Sequence, residues 1–352
     1  MNDLSFFGGA GAHVVANEHG GQLNAAARAY QIPVEQWVDI STGINPSGYP
    51  VPSIPANVWQ RLPEADDELT LVSRNWSGVA EDVGCLAVPG TQAVLQVLPQ
   101  LRDRSRVGVP AIGYAEHARA WRMAGHEVVE LMPEDIDAAL PALDVLVVIN
   151  PNNPTGQLFS ADTLLHWHVQ LSLRQGWLVV DEAFIEASDA QSLAPQCDRD
   201  GLIVLRSLGK FFGLAGLRAG LVFSTEGLCH AVSEKLGPWA LSHPARFVMA
   251  HALANNVWQQ KNRLVLNADR QRLSNLVSAV GLPALGHCDL FVYCPHPKAV
   301  TIADALAKQA VLIRCFMGSL NQPSALRFGL PAGEEQWRHL ETVLPKIINS
   351  LR

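Results

Sequence analysis

Short apolar runs alternate with longer stretches of mixed polarity between residues 85 and 225. Because the runs are continuous in Val, Leu and Ile rather than alternating, they predict strands covered on both faces, as in a largely parallel sheet. The stretches TQAVLQVLPQL (91–101) and SADTLLHWHVQLSLRQG (160–176) predict helices between strands, the second with Ser160 as its N-cap and Gly176 as its stop. The predicted strands are CLAV (85–88), RVGV (106–109), EVVELM (127–132), DVLVVIN (144–150), GWLVVDEAF (176–184), GLIVLRS (201–207) and GLVFS (220–224).

The pattern changes after residue 240. Residues 243–282 form one long helical pattern with room for one break. Beyond it, short strands predicted at 289–294, 311–316 and 325–330 are interspersed with a helix at 301–310, and a last helix begins at about residue 332. Mixed short strands and helices of this kind are typical of a small α+β domain.

These patterns predict an α/β protein with two domains and an arm. Residues 1–50 are rich in Pro, Gly and Asn around one helix near 21–30 and predict an N-terminal arm. Residues 51–245 predict a large domain built on a mostly parallel seven-stranded sheet. Residues 246–352 predict a long linking helix followed by the small C-terminal domain.

Composition excludes several functional classes. The net charge of -7 over 352 residues argues against a nucleic-acid-binding protein, whose surface is basic. No apolar run approaches the roughly 20 residues that a spanning helix needs, and the N-terminus lacks the features of a signal peptide. The six cysteines form no CxxC pair, which favours reduced thiols in a cytoplasmic protein. His166 and His168 lie two positions apart, so they would point to different faces of a helix and predict no metal site.

Polar residues follow the predicted strands at the edge where α/β sheets bind ligands. Gly90 and Thr91 come between a strand and a helix, where free N–H groups suit a phosphate, although an ordinary turn has the same sequence features. The segment NPNNPTG (150–156) comes at the end of the strand predicted from DVLVVIN. Its amide side chains suit either a ligand-binding loop or a plain turn.

A carboxylate and a lysine end the next two strands. Asp181 ends a buried strand, where it needs either a cation or a helix to cap. Lys210 lies in RSLGKFFGLAGLRAGL (206–221), among glycines and phenylalanines, with Ser207 and Arg218 nearby. It is either a loop lysine that reaches solvent or a desolvated amine that acts as a nucleophile towards a carbonyl. A phosphate cradle, an amine, an anion and amide donors together suit a phosphorylated pyridine aldehyde.

The motifs PGT, NPNNPTG, VVDEAF and SLGKFFGLAGLRAG, in this order and spacing, resemble fold-type I pyridoxal-phosphate enzymes of the histidinol-phosphate aminotransferase-like branch. The resemblance covers nearly the whole chain. It implies the type I aminotransferase fold, pyridoxal 5'-phosphate as cofactor, and a homodimer. It also implies roles for nine residues: Lys210 binds the cofactor aldehyde covalently, Asp181 the pyridine nitrogen and Asn153 the phenolic oxygen; Gly90, Thr91, Ser207 and Arg218 hold the phosphate; Tyr114 stacks on the ring; and Arg327 binds the substrate α-carboxylate.

The N-terminal segment 19–50 is similar to the opening of threonine-phosphate decarboxylases of cobalamin biosynthesis, which begin with an HGGN-like motif. Here Gln22 replaces the usual asparagine. Phe184 stands where most aminotransferases of the branch have a tyrosine, and the decarboxylases share this phenylalanine. Leu62 replaces a tyrosine that in relatives reaches the neighbouring subunit's cofactor phosphate, which puts that contact in doubt.

The resemblance implies decarboxylation of L-threonine O-3-phosphate to (R)-1-amino-2-propanol O-2-phosphate. A phosphate on the substrate needs a second anchor, for which Arg314, His19 and Asn45 are the candidates; His19 could equally be a structural histidine of a turn. Two alternatives remain open. One is an aminotransferase acting on histidinol phosphate or a similar amino-phosphate, and the other is a non-catalytic protein that retains the fold.

Overall fold

The computed structural model describes residues 20–64, 67–318 and 323–351. The strands in these ranges are β1 (Val38–Asp39), β2 (Val83–Val88), β3 (Arg106–Pro110), β4 (Glu127–Leu131), β5 (Val145–Ile149), β6 (Trp177–Asp181), β7 (Leu202–Ser207), β8 (Gly220–Thr225), β9 (Gly286–Cys288), β10 (Phe291–Pro295), β11 (Val311–Leu312), β12 (Arg314–Phe316) and β13 (Ala325–Gly329).

The described ranges also contain twelve α-helices. They are α1 (Leu23–Tyr30), α2 (Ala56–Gln60), α3 (Leu69–Ser77), α4 (Thr91–Val97), α5 (Glu116–Met123), α6 (Ile136–Ala139), α7 (Ala161–Ser172), α8 (Glu226–Leu236), α9 (His243–Ala254), α10 (Asn256–Ala279), α11 (Ala299–Ala307) and α12 (Gly333–Ser350).

The chain forms two compact units. Unit 1 comprises the described residues of Met1–Ser47 and of Leu264–Arg352, and unit 2 comprises those of Gly48–Arg263. The residues predicted as an N-terminal arm contribute to unit 1 because β1 pairs in parallel with β11. The boundary at Leu264 falls within α10. The predicted three-part division at residues 50 and 245 stays a prediction.

Unit 2 is built on a seven-stranded sheet with the strand order β2-β8-β7-β6-β5-β3-β4. All neighbouring strands are parallel except β8, which is antiparallel to both β2 and β7. The inner strand β5 is buried along its whole length, with exposures from 0% at Val145 to 2% at Ile149. Helices on both faces cover such a strand, as the continuous apolar runs predicted. The predicted fold class is confirmed.

Several element ends differ from the prediction. The helix predicted over 160–176 begins as expected, since Ser160 accepts a hydrogen bond from the Thr163 amide at 3.1 Å, but it ends at Ser172. The helix predicted over 91–101 is α-helical only to Val97 and continues as a 3-10 turn that contains Pro99, which has no N–H to donate. The strand predicted over 176–184 ends at Asp181. The pattern at 243–282 is broken once, at Asn255, between α9 and α10.

Unit 1 contains a four-stranded antiparallel sheet with the order β12-β13-β10-β9. The apolar run predicted as one strand over 311–316 is two strands, β11 and β12, which belong to different sheets. In the register of the four-stranded sheet, Arg327 of β13 lies between Arg314 of β12 and Tyr293 of β10. The sheet therefore places two arginines on directly opposed positions of neighbouring strands.

The described part of the chain contains no helix long and apolar enough to cross a membrane. It also contains no group of three or more His, Cys, Asp or Glu side chains arranged to hold a metal ion. All six cysteines are free thiols, and each lies within the described ranges.

Candidate functional site

The carboxyl ends of four strands of unit 2 are aligned at one edge of the sheet. Asp181, the last residue of β6, pairs in register with Ile149, the last residue of β5. Gly220, the first residue of the antiparallel strand β8, pairs with both Val88 at the end of β2 and Ser207 at the end of β7. The segments that follow these strands therefore start side by side, at the edge where open α/β sheets bind ligands.

Asp181 is a buried carboxylate with a buried histidine as its partner. It is 5% exposed, and its Oδ2 lies 2.9 Å from Nε2 of His117, which is 2% exposed. The other oxygen, Oδ1, accepts a hydrogen bond from the Ala183 amide at 3.0 Å, which turns the chain away from the sheet after β6. One face of the site thus carries a fixed anion whose position is held by an imidazole.

The sequence patterns did not identify His117. The available signal was its position three residues after Tyr114, at the start of α5, where the His117 amide donates a hydrogen bond to the Tyr114 carbonyl at 3.2 Å. The rings of Tyr114 and His117 pack edge to face with centroids 6.2 Å apart. The Tyr114 hydroxyl donates a hydrogen bond to Oε1 of Gln92 at 3.1 Å. Burial raises the pKa of Tyr114, and the nearby charges of Glu116 and Asp181 raise it further.

The residues predicted to hold a phosphate converge around β8. Gly90 has φ +78°, and a Cβ added to it would lie 2.8 Å from Nη2 of Arg218. A Cβ on Gly220 would lie 3.2 Å from the Thr91 amide nitrogen. Ser207, the register partner of Gly220, accepts a hydrogen bond from the Gly209 amide at 3.2 Å. Missing side chains at two glycines therefore leave a cradle lined by a guanidinium, a hydroxyl and amide groups.

Lys210 follows β7 and is flanked by the buried residues Gly209 and Phe211. Its side chain is half-buried, and its Nζ lies 5.6 Å from the centroid of the Phe184 ring, which is 2% exposed. Phe211 and Phe212 are both fully buried, and they fix the backbone that follows the lysine. The amine thus lies over an aromatic face. The role of Lys210 as a nucleophile stays a prediction. Asn153, in the loop after β5, is half-buried.

The described residues that were predicted to bind substrate lie in unit 1. Arg327 is 4% exposed, and its Nη2 donates a hydrogen bond to the Ser41 carbonyl at 2.6 Å. Burial, together with the positive charge of Arg314, lowers the pKa of Arg327 to about 10. Arg314 is half-buried with its guanidinium 4.8 Å from the Phe316 ring centroid. Two like charges side by side, one of them buried, favour the binding of an anion.

The glycines of the HGG motif pack onto the residue that contacts Arg327. The Gly21 amide donates to Oγ of Ser41 at 2.8 Å, and a Cβ on Gly20 would lie 2.5 Å from the Ser41 carbonyl oxygen. Gly20 therefore has no room for a side chain, and Gly21 has φ +78°, which favours glycine. Asn45 is 3% exposed, and its Oδ1 accepts from the Ser47 amide at 2.8 Å. His19 lies outside the described residues.

The sequence profile of the family described as aminotransferase class I and II matches residues 75–340, which is most of the chain. The chain belongs to this family. Among curated relatives, a protein of Pseudomonas aeruginosa named threonine-phosphate decarboxylase is 46% identical over 93% of this chain and 97% of its own length. A Sinorhizobium protein of the same name is 35% identical over 94% of this chain and 98% of its own. The family predicted from the four motifs is confirmed.

The fold of the family is equally clear from solved structures. The histidinol-phosphate aminotransferase of Sinorhizobium meliloti, solved in complex with pyridoxal-5'-phosphate, superposes with a TM-score of 0.81 at 21% identity. The match covers 97% of this chain and 100% of that one. At this identity the likeness establishes the type I aminotransferase fold, and the chemistry of this chain has to be argued from its own residues.

The residues of unit 2 fit a phosphorylated pyridine aldehyde. The phosphate cradle is shaped by glycines at which a Cβ would fill the space next to Arg218 and Thr91. The pair of Asp181 and His117 supplies a buried negative charge suited to a protonated ring nitrogen. Lys210 supplies the amine, and Tyr114 supplies an aromatic face in the same unit.

Proposed function

We propose that this protein is a pyridoxal-phosphate-dependent decarboxylase that converts L-threonine O-3-phosphate to (R)-1-amino-2-propanol O-2-phosphate in cobalamin biosynthesis. The proposal is carried by the set of polar groups at the strand ends of unit 2. The chain that holds them is similar, over almost its whole length, to two proteins named threonine-phosphate decarboxylase. The strand ends supply the cofactor site, and the relatives indicate the reaction.

The cofactor, when bound, accepts the electron pair that is released as a bond to the substrate Cα breaks. In this proposal different side chains of unit 2 bind different parts of the cofactor. Asp181, oriented by His117, keeps a proton on the ring nitrogen, and Asn153 donates to the phenolic oxygen. The remaining cofactor residues are Tyr114 on the ring face, Lys210 as the covalent amine, and Gly90, Thr91, Ser207 and Arg218 at the phosphate.

The substrate is bound through its anionic groups. Arg327 binds the α-carboxylate as a planar fork, and Arg314, Asn45 and His19 bind the phosphate. Two anchors fix the substrate so that its Cα–carboxylate bond, rather than its Cα–H bond, has the orientation in which it breaks. Carbon dioxide leaves, and Lys210 returns a proton from Nζ to Cα; water or the substrate phosphate are the alternative proton donors.

The assembly is proposed to be a homodimer. Trp59 and Trp239 of unit 2 are 65% and 60% exposed, and tryptophan is enriched at protein interfaces. Leu62, at the position where relatives use a tyrosine, is 61% exposed. A second copy of the chain covering these side chains would bury them, and sedimentation or light scattering tests this. The proposed location is the cytoplasm, which the six free thiols support.

The proposal is tested by incubating the purified holoenzyme with L-threonine O-3-phosphate. Release of carbon dioxide together with an amino-propanol phosphate is the expected result. A keto acid without carbon dioxide would identify an aminotransferase, for which histidinol phosphate is the substrate to test next. A protein with no yellow absorbance band, and with nothing fixed to Lys210 by borohydride, would be the non-catalytic alternative.

A further inference from the structure

A buried ionic cluster lies at the ends of β6 and β7, next to the segment that carries Lys210. It consists of Arg206, Glu182 and Glu186, which are 6%, 0% and 4% exposed. Nε of Arg206 donates to Oε1 of Glu186 at 2.8 Å, and Nη2 donates to the same oxygen. Nη1 of Arg206 donates to Oγ of Ser192 at 2.9 Å and lies 3.6 Å from Oε2 of Glu182. One guanidinium thus contacts two carboxylates inside unit 2.

The cluster joins the ends of the two strands that lead into the cofactor residues. Glu182 directly follows Asp181, and Arg206 directly precedes Ser207. Oε2 of Glu182 accepts from Oγ of Ser192 at 2.5 Å, and its Oε1 accepts from the Leu193 amide at 2.8 Å. A shift of the Arg206 side chain would therefore be transmitted to the ends of both β6 and β7.

Trp76 connects the same arginine to the residues on the other side of Lys210. The Arg206 guanidinium lies 4.3 Å from the Trp76 ring centroid. The Trp76 ring is 6.2 Å from that of Phe212, which in turn stacks on Trp258 at 5.7 Å and 17°. Nε1 of Trp76 donates to Oε1 of Gln259 at 2.9 Å, which fixes the indole. Packed side chains thus run from Arg206 to a residue two positions after Lys210.

Burial of three ionisable side chains is poorly explained by stability. Replacement of a buried ion cluster by apolar side chains is often neutral or stabilising, because removing charges from water is costly. The cluster is also incompletely satisfied, since Oε2 of Glu186 is buried and has no hydrogen-bond partner among the described residues. A planar guanidinium held by several acceptors and an aromatic face does, however, have a single orientation. The cluster is therefore better explained by the fixed orientation that it gives the Arg206 guanidinium than by a contribution to the stability of the fold.

We infer that Arg206 is a positioning residue, which acts through Ser207 on one side and through Trp76 and Phe212 on the other to hold Nζ of Lys210 in its reactive position. The inference rests on the proposed function, because it assumes that Lys210 binds the cofactor and returns the proton to Cα. It predicts that loosening the cluster slows the chemical step, while substrate affinity, which Arg314 and Arg327 of unit 1 provide, is retained.

The test uses holoenzyme of the wild type and of variants that separate charge from geometry. Arg206→Lys retains the charge but not the planar fork, Trp76→Leu removes the aromatic face, and Trp76→Phe restores one. Arg270→Met is the matched control, because it removes a partly buried ion pair of 3.2 Å with Asp289 in unit 1. The measurements are kcat and KM for L-threonine O-3-phosphate, the pH midpoint of the yellow absorbance band, and the unfolding temperature.

Arg206→Lys and Trp76→Leu are expected to lower kcat about tenfold with KM within about twofold, since small displacements of a reacting group have effects of this size. Trp76→Phe is expected to recover most of the loss. A further variant, Arg206→Met, removes the charge as well as the planar fork. It is expected to raise the pH midpoint of the band by about one unit, because the protonated bond between Lys210 and the cofactor would lose a nearby positive charge. Arg270→Met is expected to lower the unfolding temperature alone.

The inference is overturned if the Arg206 and Trp76 variants lose thermal stability as Arg270→Met does but keep the wild-type kcat and pH midpoint. Should Arg206→Met fail to fold, the comparison of Trp76→Leu with Trp76→Phe decides. Lys210→Ala distinguishes a failure of the positioning role of Arg206 from a failure of the proposed function. A band that is present in wild type and absent from Lys210→Ala leaves the cofactor assignment intact whatever the Arg206 variants do, whereas a band that persists in Lys210→Ala refutes both.

Discussion

Nε2 of His117 lies 2.9 Å from Oδ2 of Asp181, and both side chains are buried. The hydrogen bond fixes the rotamer of the carboxylate that would meet the cofactor's ring nitrogen. His117→Ala removes it and leaves one buried oxygen without its donor. We expect cofactor affinity to fall about 10- to 100-fold, the range that corresponds to about 1.5–3 kcal/mol for a hydrogen bond to a charged group. Equilibrium titration of the protein with pyridoxal 5'-phosphate measures the change.

The matched control for His117 is another buried histidine of the same unit. His126 is 8% exposed, accepts from the Ser105 amide at 3.0 Å and donates to the Pro99 carbonyl at 2.8 Å. His126→Ala should destabilise the protein and leave cofactor affinity unchanged. Equal affinities for the two variants would show that His117 has only a structural role.

Gly90→Ala tests the phosphate cradle. The added Cβ would lie 2.8 Å from Nη2 of Arg218 in a residue with φ +78°, so it both strains the backbone and displaces the guanidinium. We expect cofactor affinity to fall at least about tenfold, through loss of a charge-assisted contact. Gly125→Ala is the control, because Gly125 has φ +88° with nothing within 4 Å of the added Cβ. It should reduce stability by about 1 kcal/mol without affecting the cofactor; a similar loss of affinity in both variants would argue against the cradle.

Glu182 makes stability depend on pH. Burial raises its pKa from 4.5 to about 7, partly opposed by the positive charge of Arg206. Between these two values the folded protein holds a proton that the unfolded chain releases, so the free energy of unfolding falls as pH rises. Glu182→Gln, which resembles the protonated acid, should flatten the decline between about pH 5 and about pH 7. Denaturant unfolding at a series of pH values measures this.

The exposed Glu334 serves as the comparison for Glu182. Its pKa is lowered by hydrogen bonding to Arg272, so its contribution changes only at acidic pH. Glu334→Gln should therefore retain the wild-type slope near neutrality. A Glu182→Gln protein with that same slope would contradict a titration of Glu182 in this range.

The two opposed arginines of unit 1 are predicted to bind different anions. Arg314→Gln should raise KM for L-threonine O-3-phosphate about 10- to 100-fold, since it removes a hydrogen bond between charged groups. For L-threonine, which has no phosphate, the same variant should change kcat/KM little. Arg327→Gln should reduce kcat/KM for both compounds, because both have the α-carboxylate. If Arg314→Gln affected both compounds equally, the phosphate assignment would be wrong.

Much of unit 2 was predictable because its signals are local. Continuous apolar runs specify buried strands, and each predicted strand begins within two residues of the observed one. The ends of helices and strands were less predictable where a side-chain hydrogen bond, or a proline without a backbone N–H, ended the regular structure. The turn closed by Oδ1 of Asp181 ends β6, and Pro99 ends the regular part of α4. Both effects depend on single residues that a periodic pattern averages out.

The candidate site was predictable only as far as its motifs are contiguous. Ser207, Lys210 and Arg218 lie in one segment, and Gly90 and Thr91 in another. His117 and Asp181 are in contact although they lie 64 positions apart in the sequence. Arg206 of β7 likewise contacts Trp76 of α3. Such pairs are set by how helices pack on the sheet, which no short stretch of sequence records. The assignments of individual site residues stay predictions until the variants above are measured.

The discontinuous make-up of unit 1 has a consequence for synthesis on the ribosome. Residues 48–263 are contiguous, so the lysine-bearing unit can fold as soon as they emerge, since domains generally fold as units from the N-terminal side. Strand β1, by contrast, pairs with β11, whose residues are translated some 270 codons later. The early segment therefore waits unpaired until Val311 and Leu312 have been synthesised, and a nascent chain arrested before Val311 would lack its partner.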